Sequence, residues 1–127
     1  MRLYVDLDAL TLVSSAIGSE VTGFAVRRGD KMPLDLYFVQ AGVQTALSST
    51  SFGINFTAKV TDDYDGSPVL VATSFTLEGS GTTAYYAGFL DISGSTVSNL
   101  LPTDTASVNL HAEVEWLEGV TYRTTSK

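Results

Sequence analysis

The chain has 127 residues, with seven basic and fourteen acidic side chains, one histidine and no cysteine, for a net charge of −7. That length suits one domain that buries its own core, and the lack of cysteine excludes a disulfide framework or a thiolate metal site. Nucleic acid is not an expected partner, because a phosphate backbone needs clustered positive charge and only Arg27, Arg28 and Lys31 lie together. Nor is a membrane, since no apolar stretch reaches the ~20 residues of a spanning helix.

In chain order, "MRLYVDLDAL" alternates Leu3, Val5 and Leu7 and continues to Leu10 and Leu12. Asp6 and Asp8 stand where a secretory apolar core would be unbroken, so no signal peptide is expected and the mature chain is read as starting at Met1. Residues 1–22 read as an N-terminal extended arm, followed by a β-sandwich domain over 23–127. Leu3, Val5, Leu7, Leu10 and Leu12 are the candidate interaction residues, expected to pack on a partner or a neighbouring copy. Next, Arg28-Gly29-Asp30 is the tripeptide that adhesive ligands present, yet it lies only a few residues from both flanking strands. It reads as a turn in which Gly29 supplies backbone freedom.

Pro33 opens a strand in "PLDLYFVQ", where Leu34, Leu36 and Phe38 alternate with Asp35, Tyr37 and Val39. After a loop at "QTALSSTS", the stretch "FGINFTAKV" puts Phe52, Ile54, Phe56, Ala58 and Val60 on one face, and Gly53, Asn55, Thr57 and Lys59 on the other. Asp65-Gly66 is a hairpin signal that joins strands around 52–61 and 67–78. "PVLVATSFTLEG" places Val69, Val71, Phe75 and Leu77 on a common face, whereas "AYYAGFLD" allows either Tyr85, Ala87, Phe89 or Tyr86, Gly88, Leu90 inward. "SGSTVSNLLPTD" suggests a short helical turn stopped by Pro102. In "SVNLHAEVEWLEG", Val108, Leu110, Ala112, Val114 and Trp116 face inward, with Asn109, His111, Glu113 and Glu115 outward. The final "VTYRTTSK" begins a hairpin partner and stops, which reads as the N-terminal part of a longer protein.

Seven or so regularly spaced strands with tight turns predict an all-β, antiparallel β-sandwich of immunoglobulin-like architecture. The Cys…Trp…Cys marks of a true immunoglobulin domain are absent.

Chemistry-bearing residues are few. Asp62, Asp63, Asp65 and Gly66 loosely suggest a calcium loop, but Ala72 stands where the bidentate Glu would be, so the stretch reads as a charged hairpin tip. Asn55-Phe56-Thr57 matches a glycosylation acceptor and reads as a strand's wet face. His111 alone completes neither a zinc site nor a triad. Glu113 and Glu115 share a strand face, where an acid and base pair and a solvated edge are both conceivable. No set satisfies the requirements of a catalytic site. Accordingly no catalytic residue, metal, cofactor or small-molecule substrate is expected. Tyr37, Tyr85, Tyr86, Tyr122 and Trp116 could stack on sugars, or could serve core and interface packing.

The order of "LYVDLDALTLVSS", "FAVRRGDKMPLDLYFVQAG", "YDGSPVLV", "AYYAGFLDISGSTVSNLL" and "LHAEVEWLEGVTYRTTS" resembles bacteriophage and prophage tail or baseplate proteins. It is most similar to the N-terminal domain of the upper baseplate protein (BppU) family. The resemblance spans nearly the whole chain through short motifs, and departs from the family at the C-terminus, where that pattern completes the last strand. It implies that Arg28, Gly29 and Asp30 form a strand-entry turn. It also implies a non-enzymatic adaptor, made in the bacterial cytoplasm and built into the virion, whose partners are other tail or baseplate proteins and copies of itself. The alternatives are a carbohydrate-binding or adhesion module of a larger surface protein, and a small hydrolase using Glu113 and Glu115.

Overall fold

In the computed structural model the described residues are 1–15, 18, 20–21, 23–27, 31–47, 53–59, 70–91, 107–118 and 121–125. For 23–27, 31, 107–109 and 118 the description is of the backbone alone. The strands in chain order are β1 (Arg2–Asp6), β2 (Thr11–Val13), β3 (Gly23–Arg27), β4 (Lys31–Gln40), β5 (Val43–Thr45), β6 (Asn55–Lys59), β7 (Leu70–Ala72), β8 (Thr76–Glu78), β9 (Tyr85–Asp91), β10 (Ser107–Glu118) and β11 (Thr121–Thr124). One 3₁₀ turn, Gly81–Thr83, precedes β9.

The strands form two sheets. The first runs β2-β1-β4-β9-β8, with β5 on β4; the second runs β11-β10-β6-β7, with β3 on β10. Two long strands organise them. Phe38 of β4 pairs with Val5 on one flank and Thr45 on the other, so β5 continues the flank that β9 occupies. His111 of β10 pairs with both Lys59 and Gly23, so β3 and β11 share the flank opposite β6.

Alternating apolar residues close the space between the sheets. Leu34, Leu36 and Phe38 from β4 meet Phe56 and Ala58 from β6 and Leu110, Val114 and Trp116 from β10 in one cluster. Phe38 sits at its centre, edge-on to Tyr86 at 5.4 Å and to Trp116 at 5.3 Å between ring centroids. Such edge-to-face pairs add to the area they bury. The all-β sandwich expected from the periodicity is the fold that forms.

Three expectations are corrected. First, the pairing is not purely antiparallel: β1 runs parallel to β4, in register from Arg2↔Asp35 to Asp6↔Val39. The chain reaches this by placing β3 in the second sheet before returning to β4, a crossover of the kind that parallel neighbours require.

Second, residues 1–13 are not a detached arm. Leu3, Val5 and Leu12 are buried members of the chain's own core, and Leu7 and Leu10 are partly buried against it. The β1–β2 turn is tied down by the acidic residues. Asp6 Oδ1 accepts from the backbone N–H groups of Asp8 and Ala9, and Asp8 Oδ2 accepts from Ala41 N–H at 2.8 Å. The proposed boundary at residue 22 therefore does not separate an arm from the sandwich.

Third, β7 has the opposite phase. Leu70 and Ala72 are buried and Val71 is 54% exposed, because pairing of Ala72 with the inward Phe56 fixes Ala72 on the inner face. A slip of one residue turns every side chain over. Leu77, expected on that common apolar face, is 43% exposed on edge strand β8.

Pro33 is the third residue of β4 rather than the first. A strand residue's N and C=O point to the same flank, and the Pro33 carbonyl accepts from the Met1 ammonium at the very start of β1. The missing N–H thus falls where the neighbouring strand has ended. In β9, Tyr86, Gly88 and Leu90 point inward, resolving that ambiguity. The Asp65-Gly66 hairpin tip, Asp62, Asp63, Arg28-Gly29-Asp30 and the turn expected in "SGSTVSNLLPTD" lie outside the described residues. The strands around the Asp-Gly signal, β6 and β7, do pair antiparallel.

Candidate interaction surfaces

Three outward-facing groups of residues carry the polar and aromatic chemistry, each positioned by strand register. On the first sheet, Tyr4 of β1 is paired with Tyr37 of β4, and Tyr85 of β9 lies on Tyr37's other flank. The rings stack in a row, Tyr4 on Tyr37 at 4.9 Å and 28°, and Tyr37 on Tyr85 at 5.1 Å and 15°. The Arg2 guanidinium carbon lies 5.1 Å from the centroid of Tyr37, a cation–π contact. Burial pushes the Tyr37 hydroxyl above its usual pKa, with Arg2 opposing the shift. A hydrogen bond with Tyr4 and the field of Tyr37 hold Arg2 more firmly protonated than usual.

Because strands on both flanks of β4 supply a ring, both faces of Tyr37 are covered by protein. A sugar needs a free ring face, and Tyr37 offers none. Tyr86 and Trp116 are 1% and 0% exposed core residues. Tyr86 Oη accepts from Leu47 N–H at 2.9 Å, and burial raises its pKa while this bond opposes the rise. The Trp116 indole N–H is buried with no hydrogen-bond partner among the described residues. Tyr122 stands apart, exposed at the β10–β11 flank.

On the second sheet, register aligns Glu115 with Asn55, Glu113 with Thr57 and Val71, and His111 with Lys59. Asn55 Nδ2 donates to Glu115 Oε1 at 3.2 Å, and Lys59 Nζ lies 3.8 Å from Glu113 Oε2. Asn55, Thr57, Val71, Glu113 and Glu115 line a shallow, open depression of about 260 Å³. The two carboxylates do share a face, as expected, and Asn55 and Lys59 engage them. Among the described residues, no group of three or more His, Cys, Asp or Glu is arranged to hold a metal, and no helix is long and apolar enough to cross a membrane.

The third surface is the corner where the chain leaves the second sheet at β7 and enters the first at β8. Both are edge strands among the described residues. Val71 and Phe89 are exposed there, Phe89 at 62% beside the exposed Pro33 in register. Thr73 and Ser74 complete a second depression with Val71, Ala72 and Phe89. Gly88 sets the shape of the corner: a Cβ there would stand 2.7 Å from Phe75 Cε1, so only glycine lets Phe75 lie over β9 and close the core's rim. Sequence reading missed this corner because the phase of β7 was inverted and that of β9 was open.

Of the five candidate interaction residues, Leu3, Val5 and Leu12 are buried, and Leu7 and Leu10 are partly buried against the same core. By fold the chain belongs to the all-β sandwiches. No protein-family profile, curated protein or solved structure matches it.

Proposed function

We propose that this chain is a non-enzymatic structural adaptor of a bacteriophage or prophage tail or baseplate, acting by docking onto other tail proteins. The observation that carries the reading is the corner of β7, β8 and β9. Two strands that are edges among the described residues lie beside exposed Val71 and Phe89. Edges of this kind invite strand addition unless they are blocked, and clustered exposed apolar residues mark contact surfaces. Both strands are three residues long and β8 carries Glu78, features that blunt an edge, so the exposed side chains are the expected contact. The resemblance of the chain's motifs to the upper baseplate protein family supplies the tail context. Mutual stacking of Tyr4, Tyr37 and Tyr85 weighs against the carbohydrate-binding alternative.

Inactivating the gene in the source phage or prophage tests the role. Electron microscopy is expected to show tails that lack a distal structure, restored by expression of the chain in trans. Complete, infectious particles in the null strain would refute it.

A further inference from the structure

The two depressions described above adjoin at Val71, which lines both. One carries the carboxylates of Glu113 and Glu115; the other carries the exposed Phe89 ring beside Thr73 and Ser74. Val71 stands between them at the edge of the second sheet. Strand spacing puts Val71 roughly 10 Å from Glu113 across β6, about three residues of extended chain.

The charge of the two carboxylates is incompletely compensated by the sheet. Among the described residues Glu115 receives a neutral amide, and the Lys59 ammonium, 3.8 Å from Glu113, is the cation paired with these carboxylates. The whole chain carries −7. A second copy brings the same net negative charge to this face, which disfavours it. Phosphate chains are repelled for the same reason. An open depression does not enclose a small molecule. What complements the exposed Val71 and Phe89 side chains and the two carboxylates is an apolar anchor next to a cation.

We infer that this surface receives an extended segment of a different protein that places a leucine or phenylalanine against Val71 and Phe89 and an arginine or lysine, roughly three residues away, against Glu113 and Glu115. This rests on the docking reading above and names the chemistry of the partner. The apolar anchor fills the corner that the β7-to-β8 crossing leaves open. The cation pairs with carboxylates already held in place by Asn55 and Lys59, so little side-chain freedom is lost on binding.

The probe is a set of short synthetic peptides with leucine and arginine two to four residues apart in a threonine-rich background, with glutamate replacing arginine in the controls. Binding is read by heteronuclear NMR on the isolated chain. The expected result is that the arginine peptides shift the resonances of Val71, Phe89 and Glu115, whereas the glutamate peptides shift none. Affinity should fall at least tenfold in Phe89→Ser, several-fold in Glu115→Gln, and steeply with salt. All three side chains face outward, so unchanged spectra elsewhere establish that the variants are folded. Equal binding by both peptide sets, shifts confined to another face, or no binding overturns the inference. Detection of the chain in tail particles together with any of those outcomes would leave the adaptor role standing and remove this surface from it.

Discussion

Replacing Val5 with alanine distinguishes a core strand from a detachable arm. Val5 is fully buried, paired with Phe38 across the parallel β1–β4 ladder. The substitution removes two methyl groups, a transfer loss of about 1.6 kcal/mol, and the partly collapsed void adds up to about 1 kcal/mol. The total of about 1.6–2.6 kcal/mol should lower the urea midpoint by roughly 1–2 M for a chain of this size. Fluorescence reports it directly, since the single tryptophan, Trp116, is 0% exposed in the same core cluster. Val43→Ala, at a 52% exposed site, is the matched control and should change stability by no more than about 0.5 kcal/mol. If Val5→Ala unfolds at the same midpoint as the unaltered chain, β1 is not part of the cooperative unit and the account of the first sheet is wrong.

Three other outcomes follow from buried and strained positions. Tyr86→Phe removes the acceptor of the buried Leu47 N–H and should cost about 1–3 kcal/mol in the same assay. Burial raises the hydroxyl pKa of both Tyr86 and Tyr37, so the folded state holds these protons more tightly than the unfolded chain does. That stabilisation is complete below about pH 10, where unfolded tyrosine begins to ionise, and disappears as pH rises through the folded values. Urea midpoints should therefore fall more steeply above about pH 10 in the parent than in Tyr86→Phe. A two-residue loop joins Gln40 to Val43, with φ of 52° at Ala41 and 76° at Gly42. Asparagine suits the first of these positions better than alanine, and Ala41→Asn should raise stability by about 0.5–1 kcal/mol. A lower thermal midpoint for that variant would contradict the turn assignment.

The parts of the fold legible in the sequence are those where one face is wet. β6 and the described part of β10 alternate because Asn55, Thr57, Lys59, His111, Glu113 and Glu115 meet solvent while their neighbours meet the other sheet. Where both faces are covered the signal fails. Tyr37, Phe38 and Val39 are consecutive and all buried, with the Tyr4 and Tyr85 rings covering the outward Tyr37. The three-residue β7 is too short for its own periodicity to set its phase, which Phe56 sets through pairing. The alternation of Leu3 and Val5 was read correctly as a strand with a buried face, but periodicity does not say whose core receives it. The destination was decided by the long-range parallel pairing with β4. Asp6 and Asp8, read only as interruptions of an apolar segment, turn out to fasten two turns together. The exposed corner had no sequence signal beyond Phe89 and Val71 themselves, because it exists only where β7 and β9 meet.

Quantitative mass spectrometry of purified tail particles from the source organism tests the adaptor role most directly. The account predicts peptides of this chain at a fixed ratio to the other tail proteins, unchanged through successive purification steps. Their absence from particles whose other components are well covered, or a ratio that falls with each step, would contradict it.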